Sequence, residues 1–411
     1  MIESACDVLV IGAGPAGTVG AGILNKKGWN VRIVEKEAFP RFVIGESLLP
    51  RTMEHLEEAG LLNVLHHQNF EKKYGARFIK NGKTCLFDFA DQHTNGWSWT
   101  WQVPRADFDK VMADEVEKNG VQVSYQATVV DVTFHEDTSE TLIQYGDGQQ
   151  ELIKAKFIID ASGYGRVLPS LLDLTLPSSL APKSAFFTHV IDDKRPEGAE
   201  GTQITFVVLE QELWFWVIPF SNGITSLGFA GDPSYFRSYA ARDENDFCEL
   251  LQKVDTCHYN ERFVSSKQVM QPVFINAYAS SVKQLYGDGY VLTGNSAEFL
   301  DPVFSSGVAF ATESASRAAG LIDRQLRGEK SDWEKEYADH MREGVNTFRS
   351  YVEGWYNGDL QNIFFANNVN ADFKRMICSV LAGYVWDKTN PFVRKHSTVL
   401  KTLSDVINMS E

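Results

Sequence analysis

"CDVLVIGAGPAGTVGAGILNKKGWNVRIVEK", residues 6–36, is the stretch that decides the fold. An apolar run enters a glycine-rich turn, a helix-compatible stretch follows, and a second apolar run closes it: strand, turn, helix, strand. Gly12, Gly14 and Gly17 give G-x-G-x-x-G, with Ala16 inside the turn. In such a pattern the first glycine permits the tight turn and the second lets a pyrophosphate approach the backbone. The third lets helix and strand pack closely. The helix start then presents unpaired N–H groups to phosphate. Glu35, followed by Lys36, closes the second run 23 positions after Gly12, near the spacing of about 20 at which a carboxylate meets ribose hydroxyls. The stretch therefore predicts a βαβ unit that holds one dinucleotide, NAD or FAD, which these glycines alone do not separate. The complete motif occurs once, which disfavours a second dinucleotide bound the same way.

Further along, "PRTMEHLEEA" (50–59) predicts a helix with Pro50 in its first turn and Gly60 as its stop. Residues 104–120 predict an amphipathic helix carrying Phe108, Val111, Met112 and Val116 on one side, and 121–134 read as strand. "FIIDASGYGR" (157–166) is a buried strand entering a turn, with Asp160 and Gly163 as turn residues. Residues 71–101 and 202–230, rich in aromatics and alternating apolar positions, predict a second, mainly antiparallel sheet. "YVLTGNSAEFLDP" (290–302) is another strand running into a turn, and 330–411 reads as helical. The expected class is α/β. A Rossmann-type dinucleotide domain (1–70, 102–170 and 283–330) interleaves with a mainly antiparallel β-sheet substrate domain (71–101 and 171–282), and a helical C-terminal region (331–411) follows.

Composition narrows the function classes. A chain of 411 residues, 44% of them hydrophobic, can build more than one ordinary core. A formal charge of -15 argues against nucleic acid, whose surface calls for clustered Lys and Arg. No apolar run is long enough for an integral membrane segment. The N-terminus runs straight into a strand, so neither a signal nor a transit peptide is expected. The five cysteines, Cys6, Cys85, Cys248, Cys257 and Cys378, are scattered and contain no C-x-x-C pair. Disulfide scaffolds and metal sites are disfavoured, and a cytoplasmic setting is expected.

Two segments, "IIDASGYGR" and "VLTGNSAEFLDP", resemble the additional flavin-contacting segments of FAD-dependent monooxygenases, which selects FAD. "WFWVIP" (214–219) resembles the W-x-W-x-I-P signature of flavin-dependent halogenases through Trp214, Trp216, Ile218 and Pro219. "FLDPVFSSG" (299–307) matches a second signature of that family, F-x-x-P-x-x-S-x-G, through Phe299, Pro302, Ser305 and Gly307. The resemblance covers roughly residues 6–330, judged by motif order. It implies that the 299–307 loop lies against the flavin ring, with the amides of Ser306 and Gly307 associated with a halide ion. It implies further that Lys73, in "KKYGARF", is the active-site lysine. Arg41, Gly45, Glu46 and Ser47, in "FPRFVIGESLLP", belong to the linker between flavin and substrate sites, and Arg105 contacts FAD. Asn295 departs from the G-D pattern of the wider fold, although an amide still donates and accepts hydrogen bonds.

The implied activity is halogenation of an electron-rich aromatic or carrier-bound substrate, with reduced FAD supplied by a separate flavin reductase. The alternatives on the same scaffold are an FAD-dependent monooxygenase and a geranylgeranyl-reductase-like enzyme. A flavin-binding protein without halogenating activity is the reading from another class. Apart from the motifs, several residues have plainer readings. Lys73 is a solvated strand lysine and Glu46 an exposed loop carboxylate. Asp301 is a turn residue before proline. Trp214 and Trp216, two apart, fill core from one strand face, and "WSWTW" (97–101) is an aromatic sheet face.

Overall fold

The computed structural model describes residues 2–254 and 258–410, so the expectation for Cys257 lies outside the described residues. The opening unit forms as its pattern dictates: β1 (Ile2–Ile11), α1 (Pro15–Lys26) and β2 (Val31–Val34), with β1 and β2 parallel. Val8, Val10, Ile33 and the apolar face of α1 are buried together, and burying each such side chain favours the fold by roughly 1.5–3 kcal/mol. Among the described residues, the first sheet has eight strands. Its path runs Tyr286–Gly287, Tyr290–Leu292, Gln150–Asp160, β1, β2, Gln122–Ser124. The strand ends at Ile11, Asp160 and Leu292 lie side by side, because Ile11 pairs with Asp160 and Asp160 with Leu292 in parallel register. Three turns distant in sequence therefore meet at one sheet edge, where ligands of open α/β sheets bind.

The second sheet has seven strands among the described residues, in the order Val273–Asn276, Ser184–Ile191, Ile224–Gly231, Leu213–Pro219, Thr205–Glu210, Gly75–Lys80, Lys83–Asp88. All its pairings are antiparallel except that of Thr205–Glu210 with Gly75–Lys80. Helices fill the C-terminal region, including Asp339–Asn357 and His396–Ser410.

Three local expectations are corrected. Glu71–Lys73 and Thr100–Gln102 leave the large sheet and pair with each other as a separate ribbon. Trp97 and Trp99 lie outside any strand, and Trp97, Trp99 and Trp101 contact edge to face in a row. This arrangement uses the ring quadrupoles instead of a sheet face. The strand material after 120 breaks into Gln122–Ser124 and Ala127–Phe134, because Gln126 adopts φ 52° and the chain changes direction there.

Candidate active site

A cavity of about 560 Å³ opens where the three strand ends meet, within the roughly 300–1,000 Å³ of small-molecule sites. Gly12, Gly14 and Ala16 line its floor. Gly12 has φ +101°, and a Cβ there would stand 2.5 Å from the Ala161 carbonyl oxygen. Gly17 lies beneath the surface, and a Cβ on it would come within 1.9 Å of the Gly12 oxygen. At Gly14, by contrast, the nearest atom to such a Cβ is an Arg41 nitrogen at 3.6 Å. The turn is thus closed from below and open above, a cradle that fits a pyrophosphate at the start of α1.

Glu35, Lys36 and Arg41 line the adjoining wall. The buried Glu35 carboxylate accepts the Ala13 N–H at 2.9 Å and the Glu37 N–H at 3.0 Å, which ties the end of β2 to the glycine turn. Sequence reasoning missed Asp109, which is fully buried between two cavity arginines. It accepts from Arg41 at 2.9 Å and from Arg105 at 2.8 and 2.9 Å. Burial opposes the Arg105 charge, and the Asp109 carboxylate outweighs it, raising the guanidinium pKa. The four-residue spacing of Arg105 and Asp109 on one helix was the signal that could have found it.

Residues Arg41–Ser47 run along the cavity as one strap. Glu46 is buried, not an exposed loop carboxylate: its Oε1 stands 2.6 Å from the His189 Nε2, and Oε2 has no hydrogen-bond partner. Glu46 is enclosed where the second sheet, which carries His189, packs on the strap: Phe42 also lies against the Phe187 and His189 rings. Lys73 is buried too, in the ribbon opposite Thr100 with its ammonium 5.5 Å from the centre of the Phe89 ring, and is not a solvated strand lysine. It does not line the cavity; its Nζ donates to the Ser47 hydroxyl and the Leu48 carbonyl, each at 2.8 Å. Burial lowers its pKa to about 7.

The far wall carries Ile204, Phe206, Trp214, Trp216 and Ile218 from the second sheet. The two indole centroids are 5.7 Å apart. Trp216 donates to the Ser226 hydroxyl and Trp214 to the Tyr356 hydroxyl, each at 3.1 Å. Gly163 and Asn295 line the edge near the strand ends. Asp160 lies below, where its carboxylate accepts the N–H groups of Ser162 and Leu168 and clasps that turn. From the 299–307 loop, Phe299, Pro302, Ser305 and Gly307 reach the cavity, whereas Ser306 is buried behind them. Ser305 has φ 57° and immediately precedes the 21-residue helix Ser306–Leu326, whose N-terminus meets the cavity at Gly307. Asp301 caps the turn through the Val303 N–H, as its position before proline suggests. It also accepts from Tyr278 and Tyr356, partners that lie too far away in sequence to be foreseen.

A family model described as FAD binding domain matches residues 5–346. Over 409 residues the chain is 27% identical to the 1H-pyrrole-2-carbonyl-(peptidyl-carrier protein) chlorinase of Pseudomonas fluorescens, covering 92% of this chain and 89% of that one. A crystal structure of a flavoprotein/dehydrogenase from Cytophaga hutchinsonii is 54% identical, with TM-score 0.96 and 99% of each chain covered. A triple mutant of the flavin-dependent brominase Bmp2 is 25% identical, with TM-score 0.83, covering 97% of this chain and 100% of that one.

Proposed function

The chain belongs to the FAD-binding domain family, and from that premise we propose that this FAD-dependent oxidoreductase halogenates an electron-rich aromatic or carrier-bound substrate. One observation carries the reading: Trp214, Trp216 and the 299–307 loop wall the same cavity that the glycine turn enters. The naming of a relative as a carrier-bound pyrrole chlorinase supports the substrate class.

In this reading Gly12, Gly14 and Ala16 hold the pyrophosphate at the start of α1, with Gly17 keeping the turn tight. Glu35 and Lys36 serve the ribose side. Arg41 and Arg105 supply positive charge, kept in place by Asp109. Gly45, Glu46 and Ser47 on the strap and Gly163, Asn295, Pro302 and Ser305 across the cavity would hold the flavin, with Asp160 clasping the turn below. Bound FAD, once reduced, supplies the dioxygen activation that turns halide into an electrophile. The N–H of Gly307 at the cavity edge, with that of Ser306 behind it at the positive end of a long helix, would hold the halide ion. Trp214 and Trp216 exclude bulk water and separate the oxidising side from the substrate. Lys73 works from behind Ser47. An amine with pKa about 7 is partly neutral near neutral pH, so it can hydrogen-bond hypohalous acid once its bond to Ser47 opens.

Reducing equivalents come from a separate flavin reductase. Residues 1–70, 102–170 and 283–330 form the FAD part, 71–101 and 171–282 the substrate part, and 331–411 the helical part. A second reading, oxidation or reduction of a substrate without halide, is favoured by the name of the 54%-identical flavoprotein/dehydrogenase and by the absence of Lys73 from the cavity lining.

The test supplies purified protein with FAD, a flavin reductase with NADH, oxygen, and chloride or bromide, together with phenols, pyrroles and indoles. Mass spectrometry reads the product. A halogen isotope pattern that Lys73→Ala abolishes with FAD content intact supports the reading. Oxygen insertion alone selects a monooxygenase, and a product that needs neither oxygen nor halide selects the dehydrogenase or reductase.

A further inference from the structure

Asp301 is a buried carboxylate that the proposed chemistry does not use. It begins the turn of the 299–307 loop, one residue before Pro302, and is 2% exposed. Three donors converge on it. Its Oδ1 accepts the Val303 N–H at 2.9 Å, and its Oδ2 accepts the hydroxyls of Tyr278 at 2.8 Å and Tyr356 at 3.0 Å. Tyr278 precedes the strand Ser280–Val282, and Tyr356 lies in the last turn of the helix Asp339–Asn357. A phenol has one hydrogen to give. Because Tyr356 gives it to Asp301, its oxygen is left to accept, and Trp214 Nε1–H fills that role at 3.1 Å. The proton order is therefore fixed: indole to phenol, phenol to carboxylate.

We propose that Asp301 is a positioning residue which, through Tyr278 and Tyr356, fixes the 299–307 loop and the Trp214 indole together and makes the helix Asp339–Asn357 part of the site. The proposal rests on the reading of this cavity as the FAD site. A chain that crosses from the loop to the C-terminal helix and back to the aromatic wall joins three elements that are independent in sequence. It sets two sides of the cavity with one charge.

The charge state is what the clamp depends on. Burial raises the Asp301 carboxyl to about 6, against the pull of its three donors. Burial, with the Asp301 charge adding to it, raises the Tyr278 and Tyr356 phenols well above their ordinary range, so both remain donors. Lys183 is the cation whose field reaches Asp301. Its ammonium is bonded to Glu212 at 2.9 Å and lies 4.3 Å from the centre of the Tyr356 ring. Protonation of Asp301 places a hydrogen on an oxygen that now only accepts and removes the charge that strengthens the three bonds it receives, so the clamp loosens.

The experiment measures the FAD dissociation constant of the full chain by flavin fluorescence between pH 5 and 8, in the unaltered protein and in Asp301→Asn, Tyr356→Phe and the double variant. In the unaltered protein, affinity is expected to fall roughly three- to tenfold, the worth of one hydrogen bond, as pH drops through about 6. Tyr356→Phe should weaken binding by a similar factor at pH 7.5 and change tryptophan emission. Asp301→Asn should flatten the pH step, and the double variant should add nothing to either single one, as for members of one network. Circular dichroism checks the fold, and Tyr278→Phe carries the same test should Tyr356→Phe not fold. A pH step that survives in Asp301→Asn, or phenylalanine variants that bind FAD as tightly as the unaltered protein at every pH, overturns the clamp. Failure of the unaltered protein to bind FAD at any pH overturns the site reading instead.

Discussion

Replacing Lys73 with methionine removes a buried amine while keeping most of its length. Burial brings the ammonium pKa from 10.5 to about 7. Between those values the unfolded chain holds a proton that the fold does not, so stability rises with pH. The slope reaches about 1.4 kcal/mol per pH unit, which amounts to about 5 kcal/mol across the window. Below about pH 7 both states are protonated and the full cost of the buried charge remains. Methionine escapes that cost but leaves the Leu48 carbonyl and the Ser47 hydroxyl without the donor they have now, a loss of about 1–3 kcal/mol each. Lys73→Met is therefore expected to be the more stable protein by about 1 kcal/mol near pH 7 and the less stable by about 3 kcal/mol near pH 10. Paired urea unfolding of the FAD-free proteins from pH 6.5 to 10 measures the difference, in which the other titrating groups cancel. A difference that stays constant over that range would refute a desolvated Lys73, and with it the partly neutral amine that the proposed chemistry uses.

Gly228→Ala places a Cβ 2.2 Å from the Trp216 indole. It should cost about 1–3 kcal/mol of stability and shift tryptophan emission, read by thermal unfolding and fluorescence. Asp109→Asn strips Arg105 of its salt bridge and leaves Arg41 only the longer contact to Glu35 at 3.7 Å. A loss of about 3–5 kcal/mol of stability is expected, with weaker FAD binding, measured by urea unfolding and flavin titration. Gly17→Ala forces a Cβ to within 1.9 Å of the Gly12 oxygen, so the purified variant should lack flavin absorbance where the unaltered protein has it.

The parts of this fold written in local pattern were legible. The glycine turn, the helix stop at Gly60, which adopts φ 79°, and the strand ending at Asp160 each follow from short-range stereochemistry. The register that brings Ile11, Asp160 and Leu292 together was legible only as a shared direction of apolar strands. What the sequence hid was burial decided at long range. Lys73 and Glu46 are residue types of the surface, and only the docking of strap, ribbon and second sheet encloses them. Tyr278, Asp301 and Tyr356 are separated by 23 and 55 residues, and nothing in their neighbourhoods marks them as partners. "WSWTW" misled because alternating aromatics satisfy a strand pattern, whereas its three rings satisfy one another edge to face.

The strap from Arg41 to Ser47 explains why the two sheets act as one site. Few of its contacts are internal. Arg41 is held by Asp109, the carbonyls of Ile44 and Gly45 accept from Arg105, Glu46 faces His189 of the second sheet, and Ser47 accepts from Lys73 of the ribbon. A segment without regular structure has little stability of its own, so its position is set by these outside partners. Two of them, Arg105 and Asp109, belong to the helix beneath the cavity, and two, His189 and Lys73, lie beyond it. Any change that moves the second sheet relative to the first must therefore move a wall of the cavity. That coupling gives a reason for burying charges at this seam: ionic and hydrogen-bonded contacts are directional, so they fix the strap in one place where apolar packing alone would let it slide.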